Sequence, residues 1–125
     1  MIVDNYAQML RIVNNCPDLT GKVYTDYPRA RTKAPFAVVK RISNTPDCVD
    51  VEEGREVINT LYYSVDIYAQ DNTSVQELGD FVIGLYIPYN ILKAGDIPIR
   101  SSAKDLTGRS LTLRLQLNEY GYVTQ

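Results

Sequence analysis

The chain has 125 residues, a formal net charge of −2, 45% hydrophobic and 22% charged residues, the size and balance of one globular domain. A domain of that size buries roughly two-thirds of its unfolded surface, enough for one core. The near-neutral charge argues against a general binder of nucleic acid or anionic membrane, and every apolar run stops well short of the ~20 residues that a spanning helix needs.

The first element predicted is a helix from about Asp4 to Asn15, because Tyr6, Met9, Leu10 and Val13 follow the spacing of one buried stripe. Asp4 fits its cap, and Pro17 stops it. "GKVYTDYP" reads as a short strand closed by Pro28, and the basic, irregular "PRARTK" follows. "APFAVVKRISN" is rich in β-branched and aromatic residues and reads as a strong strand. The acidic "TPDCVDVEEGREV" is long for a tight turn, so it is expected to be an extended loop or a protruding hairpin arm.

"INTLYYSVDIYAQD" alternates strictly. Leu61, Tyr63, Val65, Ile67 and Ala69 point to one face of a strand, and Tyr62, Ser64, Asp66, Tyr68 and Gln70 to the other. A helix starts directly after it, with Ser74 and Glu77, or Thr73 and Gln76, at capping-box spacing. Val75, Leu78, Val82 and Leu85 form its stripe, Gly79 allows close approach to the sheet, and Pro88 ends it. Two strands joined by a turn near Gly108 complete the chain. In the last, Leu111, Leu113, Leu115 and Leu117 alternate with Ser110, Thr112, Arg114 and Gln116. The predicted fold class is α+β, with an antiparallel or mixed sheet of four to five strands and two helices on one face.

Residues able to carry chemistry are few. The chain has no His, so a Ser-His-Asp or Cys-His site cannot form within it, and no glycine-rich phosphate loop is present. Ser101-Ser102-Ala103-Lys104 matches the string used by serine acyl-enzymes, but the partner motifs are missing and an exposed strand end explains it better. The acidic run Asp47, Asp50, Glu52, Glu53 and Glu56 does not have calcium-loop spacing and reads first as solvated loop. Asn72-Thr73-Ser74 is formally a glycosylation acceptor but reads better as a helix start. Cys16 and Cys48, far apart in sequence, are expected to be reduced, partly buried thiols. The N-terminus has no basic segment, apolar segment or cleavage site, so synthesis and folding in the cytosol are expected. No cofactor, no metal and no catalytic residue is expected.

The charges and tyrosines point to interfaces instead. Lys22, Arg29, Arg31 and Lys33 are too few charges for a nucleic-acid groove, with no aromatic between Arg29 and Lys33, and they balance the acidic run either across a subunit boundary or simply in solvent. Tyr62 and Tyr68 stand on the nominally wet face of their strand, where aromatics mark a protein interface or are covered by a loop of the same chain.

The strand "PFAVVKRI", the acidic loop, "YYSVDIYAQD" running into an amphipathic helix, and the late strand "LTLRLQL" together resemble the tail terminator and tail-completion proteins of long-tailed bacteriophages. The resemblance covers nearly the whole chain, and its motifs are apolar patterns without reactive groups. It implies a non-enzymatic structural subunit of the virion tail, a homo-oligomeric ring, commonly a hexamer, that caps the tail tube and stops its polymerisation. The partners it implies are the chain itself, the tail tube protein and the head-side connector, with no sequence-specific nucleic acid and no membrane. By position, the Asp47 to Glu56 loop, with Asp50, Glu52 and Glu53, would be an arm reaching a neighbour or the tube. Arg29, Arg31 and Lys33 would form the complementary patch, and Tyr62, Asp66 and Tyr68 the sheet face between subunits. Other neck components, such as head-completion or head–tail joining proteins, share these features. A cytosolic ligand-binding α+β module using the tyrosines is the reading from a different class.

Overall fold

The structure, a computed structural model, describes residues 6–26, 34–47, 58–100 and 106–118. Helix α1 (Tyr6–Asn14) is followed by strands β1 (Val23–Tyr24), β2 (Phe36–Asp47) and β3 (Ile58–Ala69). Helix α2 (Asn72–Tyr86) runs into a 3-10 turn (Ile87–Tyr89), and β4 (Leu92–Arg100) and β5 (Thr107–Asn118) close the fold. The strands form one sheet in the order β1-β2-β3-β5-β4, antiparallel except for the parallel pair β1–β2. The architecture is the α+β sheet with two helices that the alternation patterns predict, and the sheet is mixed.

Period-two patterning decides which face is dry. Leu61, Tyr63, Val65, Ile67 and Ala69 of β3 lie beside Leu111, Leu113 and Leu115 of β5 and Ala37 and Val39 of β2, all buried. Met9, Ile12 and Val13 of α1 and Val75, Leu78, Val82 and Tyr86 of α2 close over them as one core. Each fully buried Leu or Ile contributes roughly 1.5–3 kcal/mol through the water it sheds. The two helices are tied together by the buried Tyr86 hydroxyl, which donates to the Met9 carbonyl at 2.7 Å. Tyr6 stacks on Tyr63 with ring centroids 6.1 Å apart, and its hydroxyl donates to the Val39 carbonyl of β2.

Two local expectations change, and a third narrows to one of its two alternatives. Asp71 caps α2, rather than Ser74 or Thr73, its carboxylate accepting from the Ser74 N–H at 2.7 Å and from the Ser74 hydroxyl at 3.0 Å. Asp is as good a cap as Ser, and "QDNTS" offers several candidates in a row. Gly108 does not turn the last hairpin; it lies inside β5, and the connection falls between Arg100 and Thr107. Of the acidic "TPDCVDVEEGREV", residues 45–47 belong to β2, with Asp47 opposite Ile58 of β3, so the base of the segment is a paired hairpin. Its Cys48–Val57 portion lies outside the described residues, as do Asp4, Pro28, Arg29, Arg31, Lys33, Ser101, Ser102, Ala103 and Lys104.

The sheet tapers. β4 ends its pairing with β5 at Arg114, whereas β5 continues beside β3 to Asn118. β1 covers β2 only at Ala37 and Val38, whereas β2 continues to Asp47. A five-stranded base thus becomes a three-stranded tip of β2, β3 and β5. No described helix is long and apolar enough to cross a membrane.

Candidate protein interface

The even-numbered residues of β3 face away from both helices, and the registers align them into rows across the sheet. Phe36, Tyr68, Gly108 and Ile99 form one row, and Val38, Asp66, Ser110 and Ile97 the next. Lys40, Ser64, Thr112 and Gly95 follow, then Tyr62, Arg114 and Leu92 towards the tip.

The first row is a small second core. Phe36 and Tyr68 stack with centroids 5.0 Å apart, Tyr24 meets Phe36 edge-on at 6.1 Å, and Ile99 and Leu106 pack alongside. The Tyr68 ring lies across Gly108, where a β-carbon would come within 3.0 Å of it, so glycine is needed for close approach rather than for a turn. Tyr68 is therefore on the predicted face, but it is only 7% exposed and its ring packs within its own chain. It leaves the set of available interface residues.

Val38, 2% exposed, belongs to this second core too, and the other side chains of the remaining rows are half-buried or exposed. Asp66 accepts a 2.6 Å hydrogen bond from the Ser110 hydroxyl, which fixes both half-buried side chains across the β3–β5 pair. Lys40 pairs with Asp26 at 3.2 Å, both exposed enough for solvent to screen the pair. Tyr62 is half-buried opposite exposed Arg114, and Ile97 is 63% exposed. A face with a partly apolar, partly hydrogen-bonding surface of this kind is suited to a protein partner. Of the ten interface residues expected from sequence, Tyr62 and Asp66 lie here with accessible side chains. Asp47 is placed by its backbone at the end of β2, and Arg29, Arg31, Lys33, Asp50, Glu52 and Glu53 lie outside the described residues.

Sequence reasoning overlooked one charged centre on the helix side. Arg109 shares the dry face of β5 with the leucines and is 6% exposed. Its guanidinium is bidentate to Asp96 of β4, Nε to Oδ1 at 2.9 Å and Nη2 to Oδ2 at 2.6 Å. Nη1 reaches α2, donating to Asp80 at 3.0 Å and to the Gln76 carbonyl at 3.2 Å. The Arg109 guanidinium, helped by Lys93 at 3.3 Å, holds Asp96 below the usual carboxylate range against the opposing effect of burial. These carboxylates keep Arg109 charged, so the group clamps the edge strand to the helix.

A cleft of about 490 Å³ opens between the turn after α1, the start of β2 and the first turns of α2, with Cys16, Asp18, Pro35, Asp71, Glu77 and Phe81 among its lining. The buried Cys16 is free, and desolvation pushes its thiol up, partly offset by the backbone N–H groups of Asp18 and Leu19. A protonated thiol is a poor nucleophile and a poor metal ligand. Asp71 is held low by its Ser74 contacts, so it serves the helix as a charged cap. No described tyrosine lines this cleft.

No protein-family model matches the chain, and no curated protein matches it.

Proposed function

We propose that this chain is a structural ring subunit of a long-tailed phage, a tail terminator or tail-completion protein that caps the tail tube and offers a surface to the head-side connector. The observation that carries the reading is the two-sided sheet: one face is closed by α1 and α2, and the other carries a built but accessible surface around Tyr62, Asp66, Ser110 and Arg114. The order of β2, the hairpin base, β3, α2 and β5 fits the patterned segments that resemble this family. On this reading the chain does no chemistry; it supplies surfaces of fixed geometry, held by the main core under the helices, the smaller core on the opposite face and the Arg109 clamp.

The test is native mass spectrometry and negative-stain microscopy of the purified protein, alone and mixed with tail tubes. Rings, or caps on tube ends, support the proposal. A protein that stays monomeric at all concentrations and ignores tube ends overturns it.

A further inference from the structure

The taper of the sheet leaves two strand edges open at the same end of the molecule, one on each side. Among the described residues, no strand pairs with the outer edge of β5 from Leu115 to Asn118, or with the outer edge of β2 from Asn44 to Asp47. The registers put these stretches at one level: Thr45 is opposite Thr60, and Thr60 is opposite Gln116. An open edge presents a row of backbone donors and acceptors and is a template for another strand.

We infer that a second copy of this chain occupies these edges, with the Leu115–Asn118 edge of one copy pairing with the Asn44–Asp47 edge of the next. The partner is a second copy because the two edges are different and lie on opposite flanks of the same three-stranded tip. Joining them head to tail is a heterologous contact, and when repeated by rotation it closes a ring. The direction also follows. β2 and β5 both run antiparallel to β3, so they run the same way, and copies related by rotation meet in a parallel pair. β2 already accepts a parallel strand on this edge, where β1 pairs at Ala37 and Val38.

The lower edges are less suited to the same role: β4 carries an irregularity between Lys93 and Gly95, a device that blunts an edge, and β1 has only two residues. On β2, Pro46 removes one donor and leaves its carbonyl. Leu92, opposite Arg114 where β4 begins, is 40% exposed beside the start of the open β5 edge. Five strands at the base and three at the tip make each copy a tapered stave, so copies meeting along their flanks form a cone rather than a flat ribbon.

This inference rests on the ring reading, and the experiment separates the two. In a Cys48→Ser background, Gln116→Cys is combined in turn with Asn44→Cys, Thr45→Cys and Asp47→Cys, covering the stagger between neighbouring copies. Within one chain β3 separates β2 from β5 by ~9.5 Å, beyond the ~7 Å limit for a disulfide, so a bond between the two introduced cysteines links two copies. Oxidation is expected to give a ladder of covalent oligomers for at least one pair and none for chains carrying one introduced cysteine beside the buried Cys16. In the unsubstituted protein, amide exchange over 115–118 should slow by roughly tenfold or more on ring formation. Rings by native mass spectrometry without a ladder or protection overturn the edge pairing and leave the ring reading standing. A chain that never oligomerises and ignores tube ends overturns both.

Discussion

Gly79 of α2 leaves the space that Arg109 of β5 fills: a β-carbon at position 79 would lie 2.4 Å from the Arg109 Nη1. The guanidinium cannot simply swing aside, because Asp96, Asp80 and the Gln76 carbonyl hold it from two elements. In an exposed helix interior Gly→Ala stabilises by up to about 1 kcal/mol. Here Gly79→Ala is expected to destabilise by about 1–3 kcal/mol, the scale of charge-assisted hydrogen bonds broken or bent. Urea unfolding measures it. In an Arg109→Ala background the same change should turn neutral or stabilising, since the obstacle is gone.

The pH dependence follows from Asp96. Its pKa is depressed in the folded state, chiefly by Arg109 and then by Lys93, so its contribution to stability is fully present above the unfolded value of about 3.9. That contribution falls away as pH drops through the ordinary carboxylate range and on through the lower folded value. Asp96→Asn should therefore be less stable than the parent at neutral pH, and the difference should shrink below about pH 4. A difference that stays constant with pH would show that the charge on Asp96 contributes nothing.

Tyr86 joins the helices through its hydroxyl. Tyr86→Phe keeps the ring in the core and removes the 2.7 Å bond to the Met9 carbonyl. The expected cost is ~1 kcal/mol in thermal or urea unfolding, with assembly unchanged. Because burial raises the pKa of this hydroxyl above the ordinary tyrosine value, the group remains neutral throughout the physiological range.

The accessible sheet face calls for variants that spare the fold. Tyr62→Ala and Arg114→Glu alter half-buried or exposed groups and should leave unfolding within about 1 kcal/mol of the parent while weakening assembly or tube capping. Size-exclusion chromatography alongside denaturation separates the two effects. Unchanged assembly in both variants would move the interface elsewhere.

The acidic run offers an electrostatic test. Reversing Glu52 and Glu53 to Lys should weaken ring formation, and more so at low salt, where a neighbour's Arg29, Arg31 and Lys33 are least screened. Equal ring formation at low and high salt removes these charges from the interface.

The elements with strict period two were legible from sequence, because burying one face of a strand leaves no freedom over which residues are apolar. Leu61, Tyr63, Val65 and Ile67 of β3 and Leu111, Leu113 and Leu115 of β5 are buried as their alternation implies. The same alternation places Arg109 on the leucine face, a cue that goes unread unless a buried cation is sought there. Its partners come from two other elements, Asp96 from β4 and Asp80 and Gln76 from α2, and only the registers and the packing of α2 assemble them. Gly108 misleads for a related reason: glycine marks turns on average, but here it admits the ring of Tyr68 from the next strand. The taper was illegible because it depends on where β1 and β4 stop pairing rather than on the patterns within β2 and β5.

The proposed function requires that this chain cap a polymerising tube. The most direct measurement adds the purified protein to assembling tail tube subunits and records tube length and end structure by negative-stain microscopy. The proposal predicts tubes that stop growing and carry a ring of extra density at one end. Tubes of unchanged length with bare ends, at every concentration of the protein, would contradict it.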